Sequence, residues 1–385
     1  MASVHVAVAP GLLHWAVERA GWDAEMAERR APKLGEWLAG RRPTIKQLEK
    51  FANATHTPFG LLFMDEPPVE QVPIPDMRTL RNAGVARPSA DMLDTIYICQ
   101  DRQDWYRGYA VERGVEPLPF VGSVTADDSP AVVADRIRSL LRFGVADRSA
   151  FSNWEEALRR VIDRIEDLGV LVMVSGIVGA NTHRVLNPEE FRGFALADSV
   201  APLIFVNGAD TKAAQIFTMI HELAHIWLGE SALSAADMTA RQGQDVELWC
   251  NRVAAEVLVP LAVLRGDYAG EPSPAELDRL AARYRVSTLV VLKQLFTARL
   301  VTWESFEKRY GEEVERVKTI LASRRRENQG GNYYYTQPLR LSRKFARAVI
   351  ANTFEGATAY RDAYRLLGTK KHETFQSLAT ELGVA

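Results

Sequence analysis

Residues 213–229 read AAQIFTMIHELAHIWLG. Ile216, Phe217, Ile220, Leu223, Ala224 and Leu228 recur at helical spacing, and Gly229 supplies a stop, so the stretch predicts one long, largely buried helix. Inside it stands His221-Glu222-Leu223-Ala224-His225. Residues four apart on a helix differ by about 40° of rotation, so both imidazoles leave one face side by side. That is the placement two zinc ligands need. Glu222 projects about a quarter turn away, where it can take a proton from an attacking water. Polar side chains in so apolar a helix require a reason.

A catalytic zinc site usually has three protein ligands and a fourth position for water. The third ligand is expected on a neighbouring element, and Glu247 is the choice. It opens the next predicted helix, DVELWCNRVAAEVLVP (245–260), and shares a face with Cys250, Asn251, Ala254 and Leu258. Asn251, one turn on, is placed to hydrogen-bond a ligand as outer support. Asp237 and Asp245 are the alternatives for the ligand. Glu256 falls on the opposite side and is expected in solvent. Cys250, a helical cysteine among apolar neighbours, reads as inert packing rather than a nucleophile. His183, Arg192 and Tyr284 are the candidates for stabilising an oxyanion.

Outward from this pair of helices the chain reads as multidomain α+β. GVLVMVSGIV (169–178) is β-branched and reads as a buried strand. FRGFALAD (191–198) and APLIFVNGAD (201–210) read as two strands joined by a short turn. Residues 10–64 read as four short helices, with Thr44 as N-cap of the last. EPPVEQVPIPDMRT (66–79) holds four prolines and reads as an extended linker. The expected divisions are a bundle at 1–65, a linker and helical connector at 66–130, a metallopeptidase core at 131–265, a helical extension at 266–327 and a basic helical tail at 328–385.

NGADTKAAQIFTMIHELAHIWLG (207–229) followed by VELWCNRVAAEVLVP (246–260) resembles the ImmA/IrrE family of metallopeptidases. EFRGFAL (190–196) and PLIFVN (202–207) are similar to the strands before that family's active helix. The resemblance implies a gluzincin-like central fold, with one Zn2+ held by His221, His225 and Glu247 and with Glu222 as general base. It further implies a protein substrate of the helix-turn-helix repressor class, and in some members a response to single-stranded DNA. EWLAGRRPTIKQLEKFA (36–52) resembles part of an XRE-type helix-turn-helix, with Glu36-Trp37 in reversed order.

The chain has 385 residues, 47% of them hydrophobic and 25% charged, which excludes collagen, a coiled-coil rod and wholesale disorder. No apolar stretch reaches the roughly 18 residues that span a bilayer, and no membrane partner is expected. Two distant cysteines imply no disulfide framework and suit a cytoplasmic protein. The net charge of −2 conceals an asymmetry. From 316 onward thirteen Lys/Arg face five Asp/Glu, and the first 315 residues carry −10. Candidate nucleic-acid contacts are Arg29, Arg30, Lys33, Arg41, Arg42 and Lys46 in the first bundle. In the tail they are Arg324, Arg325, Arg326, Arg340, Arg343, Lys344 and Arg347 around Tyr333, Tyr334 and Tyr335, since cations interleaved with aromatics suit single strands. A solvated helix face, or an acidic partner such as a co-encoded toxin, would use the same charges. Two functions therefore stand: a zinc endopeptidase cutting a regulator, or a DNA- or toxin-binding antitoxin-like regulator with a non-catalytic metal site.

Overall fold

The computed structural model describes residues 4–75, 88–149, 151–234, 245–327 and 339–384. They fall into two compact units, one of 4–73 with 88–96 and one of 74–75 with 97–384. Arg324, Arg325 and Arg326, as side chains, and Tyr333, Tyr334, Tyr335 and Asp237 lie outside the described residues.

The first unit is built from α1 (Pro10–Arg19), α2 (Ala24–Arg30), α3 (Leu34–Leu38) and α4 (Ile45–Ala54), then a 3₁₀ turn at Phe59–Phe63. The helices are short because each stop and start is written locally. The Asp23 carboxylate accepts from the Met26 N–H, and Thr44 forms a full capping box with Gln47. Leu12, Leu13, Leu48, Phe51 and Leu62 form the core, with Trp22 and Trp37 edge-on to Phe51 at 6.5 and 5.8 Å. Arg29, Arg30, Lys33, Arg41, Arg42 and Lys46 are all exposed, and Arg41 pairs with Glu36 at 2.5 Å.

The second unit is mixed α+β. Its sheet has the order β1-β3-β2-β4, with β1 (Leu171–Ser175) parallel to β3 (Leu203–Asn207). β2 (Gly193–Leu196) runs antiparallel to β3 and to β4 (Ala232–Ser234). The predicted turn between β2 and β3 is closed by Asp198, whose carboxylate accepts from the Val200 and Ala201 N–H groups. β4 has no counterpart among the expected strands. Its outer edge is covered in part, as the Leu233 N–H donates to Pro75 O at 3.0 Å.

Around the sheet lie α5 (Ala90–Glu112), α6 (Pro130–Leu141), α7 (Val145–Ser149), α8 (Trp154–Asp167), α9 (Lys212–Leu228), α10 (Asp245–Leu258), α11 (Leu261–Asp267), α12 (Pro274–Tyr284), α13 (Thr288–Thr297) and α14 (Trp303–Glu327). One apolar core runs without a break from Phe120 to Leu295, taking in α6, α8, α9, α10, α12 and α13. It crosses residue 265 because Leu277, Leu280 and Tyr284 of α12 pack into the same cluster as Val257 and Leu258 of α10. No helix among the described residues is long and apolar enough to cross a membrane.

Three further helices, α15 (Arg343–Phe354), α16 (Tyr360–Leu367) and α17 (His372–Glu381), close the chain. They are docked on the body. Phe345 meets Trp105 at 5.7 Å, and the Arg102 guanidinium donates to Leu366 O at 3.0 Å. Ser342 donates to the buried Glu166 carboxylate of α8. Burial pushes Glu166 up to about 7, against the Ser342 hydrogen bond, with Asp163, Tyr106 and the half-buried Lys344 also nearby. An acid raised in the folded state is stabilising while protonated, so this attachment is strongest at and below the ordinary Glu value near 4.5. It weakens as pH rises through about 7, by roughly 3 kcal/mol at about 1.4 kcal/mol per unit. The protection of the α15 amides, taken relative to their intrinsic exchange rate at each pH, is therefore expected to fall between pH 5 and 8. Glu166→Gln should flatten that dependence, and an unchanged profile would contradict it.

Candidate metal centre

α9 carries the centre. The Thr211 hydroxyl accepts from the Ala214 N–H at its start, and Gly229 ends it in the left-handed conformation at φ 74°. Only glycine suits that end for a second reason. A Cβ on Gly229 would lie 2.9 Å from Gly122 Cα, where the 120–124 loop crosses and the Gly122 N–H donates to Ile226 O. His221, Glu222 and His225 are fully buried. The two Nε2 atoms face each other at 3.2 Å.

Glu247 comes from the first turn of α10, which packs on α9 and α6 and is pinned by the Trp249 indole donating to Asp128 O at 2.7 Å. Its carboxylate reaches both rings, with Oε2 3.4 Å from His221 Nε2 and Oε1 3.0 Å from His225 Nε2. Among the described residues, His221, His225 and Glu247 form the cluster able to hold a metal ion. A tetrahedral ion bonded at roughly 2.0–2.1 Å spaces its donors about 3.3 Å apart; the two ring nitrogens match that spacing, and the Glu247 carboxylate sets one oxygen beside each of them. Two imidazole nitrogens and a carboxylate present lone pairs to one point, and a cation satisfies all three.

Burial alone would raise the Glu247 carboxyl, yet the two imidazoles reverse this and hold it well below the usual range. Burial also pushes both histidines down. At His225 it prevails, while at His221 it is overcome by Glu247, with Glu222 and Asn251 adding to it. The set thus keeps the carboxylate ionised and His225 disposed to stay neutral, which are ligand forms, while His221 is disposed to hold a proton that a metal would displace.

Glu222 runs toward β2. A Cβ built on Gly193 would lie 3.1 Å from Glu222 Oε1, 2.6 Å from Thr218 Cγ2 and 2.8 Å from Phe205 O. Gly193 therefore lets α9 sit this close to the sheet. A glycine inside a predicted strand is the sequence signal for such a close approach, and it adds Gly193 to the residues that shape the centre.

Asn251 is buried one turn after Glu247 and acts on His221. Asp245 is exposed and outside the cluster. Cys250 is fully buried, and burial pushes its thiol well above its ordinary value, as packing requires. Glu256 is a correction. Instead of standing in solvent it is half-buried and accepts from the Leu261 N–H at 3.2 Å, holding the start of α11. The Tyr284 hydroxyl is committed to Asp267 at 2.6 Å, Arg192 lies 3.4 Å from Asp210, and His183 is exposed. In the tail, Arg343 lies 3.8 Å from Asp163, Lys344 is half-buried, and the Arg347 guanidinium donates to Leu382 O at 2.8 Å. These cations are partly spent on the fold.

No curated protein matches the chain. Residues 341–381, which span α15–α17, match a domain of unknown function, DUF8813. Residues 165–296, from the end of α8 to the end of α13, match a peptidase family model described as the IrrE N-terminal-like domain, so this segment is of metallopeptidase type.

Proposed function

We propose that the chain is a zinc-dependent endopeptidase that cleaves a specific regulator, of the helix-turn-helix repressor class, in the cytoplasm. One observation carries this reading: the Nε2 atoms of His221 and His225 lie 3.2 Å apart, each with one oxygen of the Glu247 carboxylate within 3.4 Å, beside the buried Glu222. Two nitrogens and one carboxylate oxygen suit zinc, which takes four ligands and so keeps one position for water or substrate in a three-residue site. When bound, zinc would polarise the peptide carbonyl and acidify water.

The side chains supply the rest. His221 and His225 are fixed on one helix face, and Glu247 joins them from the neighbouring helix. Glu222 accepts a proton from the attacking water on its carboxylate and delivers it to the leaving amine nitrogen. The surrounding apolar core excludes bulk water, which strengthens each of these charges. Gly193 leaves the room in which the Glu222 carboxylate lies.

The alternative is a DNA- or toxin-binding, antitoxin-like regulator whose metal is non-catalytic. It draws on the exposed cations Arg29, Arg30, Lys33, Arg41, Arg42 and Lys46 of the first bundle. Incubation with a co-encoded repressor or toxin, with and without a chelator, separates the two. The peptidase reading expects chelator-sensitive cleavage. Partner inhibition without cleavage, indifferent to chelator, would favour the regulator.

A further inference from the structure

Beside the metal centre the second unit holds a cavity of about 920 Å³. One wall is α10. Leu248, Asn251, Arg252 and Ala255 line it, a face adjoining the one that carries Glu247. Asn251 belongs to both, since it lines the cavity and also acts on the buried His221. Asn251 thus stands between the cavity and the candidate centre, whose residues His221, Glu222, His225 and Glu247 do not themselves line the cavity.

The opposite wall is aromatic. Phe296 of α13 and Trp303, Phe306 and Tyr310 of α14 succeed one another with ring centroids 4.8–5.8 Å apart. Trp303 is 45% exposed, which is a large apolar surface to leave in water. The volume lies at the upper end of the roughly 300–1,000 Å³ range of ligand pockets and exceeds what one side chain fills. Cations stand around it: Arg252 from α10, and Lys293 and Arg299 from α13 and its end. The two acids on the lining are Glu256, whose carboxylate holds the start of α11, and Glu307. The balance is positive.

We infer that this cavity is the docking site for the protein substrate, and that it takes an amphipathic segment inserting large apolar side chains against the α14 rings while acidic residues meet Arg252, Lys293 and Arg299. Aromatic anchors in a concave pocket give affinity, and the surrounding charge gives selection and register. The inference rests on the peptidase reading for the cleavage of the docked segment, but the docking itself does not need the chemistry.

The test uses full-length, zinc-loaded Glu222→Gln protein and three labelled peptides of equal length. One alternates Leu/Phe with Glu, one replaces every Glu by Lys, and one replaces every Leu/Phe by Ser. The apolar-acidic peptide is expected to bind about tenfold or more tighter than either other, as read by fluorescence anisotropy. Ala255→Trp, which fills the cavity from the α10 wall, should abolish that preference. Arg252→Glu with Lys293→Glu, partly exposed changes that spare the core, should shift it toward the basic peptide. Equal binding of all three peptides, or a preference indifferent to both sets of substitutions, would overturn the inference. Cleavage by the wild-type protein is measured in parallel and bears on the peptidase reading alone. Selective binding with no cleavage leaves the cavity standing and the chemistry in doubt. Cleavage without selective binding does the reverse.

Discussion

Glu222→Gln is expected to retain its metal and to lose roughly 10²–10⁴-fold in kcat, with KM little changed. The substitution is close to isosteric, so it keeps the fit against Gly193, where a Cβ would lie only 3.1 Å from Glu222 Oε1. It touches none of the three side chains, His221, His225 and Glu247, that would hold the metal. What disappears is a carboxylate able to accept a proton from water and return it to the leaving nitrogen. An amide cannot do either. Steady-state cleavage of the repressor or toxin substrate, with metal analysis of the same samples, checks both halves. A variant within a few-fold of wild type would remove Glu222 as the base.

Arg148→Met is expected to cost about 3 kcal/mol of stability or more. Arg148 lies on α7 and is fully buried. Its guanidinium donates to Leu258 O and Val257 O at the end of α10 and, at 3.0 Å, to Tyr284 O at the end of α12. Helix C-termini leave their last carbonyls without partners, and here one side chain serves two helices at once. Burial lowers its pKa to about 9, so it still carries its charge at pH 7. Removing a buried charge recovers desolvation energy, which favours the variant. Against that, three buried carbonyls lose their donor, at about 1–3 kcal/mol each. The carbonyls outweigh the charge because the guanidinium is already well bonded and stacked 4.9 Å over Phe143. Urea unfolding monitored by circular dichroism reads the difference. A loss under about 1 kcal/mol would show that water replaces the donors. Because α10 also carries Glu247, the variant should bind metal less firmly even where it stays folded.

The two helices of the centre are legible in the sequence because their signals are local. The apolar period of α9, the capping Thr211 and the terminal Gly229 lie in one stretch, and Glu247 opens the next helix. The capping box at Thr44 is of the same kind. Features that depend on partners distant in the chain are not legible in this way. Arg148 reads as one more charged residue until α10 and α12, more than a hundred positions on, bring their carbonyls to it. Glu256 does face away from the centre, as its place on the helix predicts, but that side of α10 is covered by the start of α11 instead of solvent. β4 is three residues long and exists through its pairing with β2. The charge count correctly marks the tail as basic, yet cannot show that Asp163 lies beside Arg343 or that Glu166 lies near Lys344.

The convergence of His221, His225 and Glu247 on one cation is most directly tested by metal analysis of the purified full-length protein beside Glu247→Ala. The expected result is one zinc per chain in the wild type and a loss of about 10–100-fold or more in affinity without the carboxylate. Protein that binds no divalent metal, or a Glu247→Ala variant that holds zinc as tightly as wild type, would contradict it.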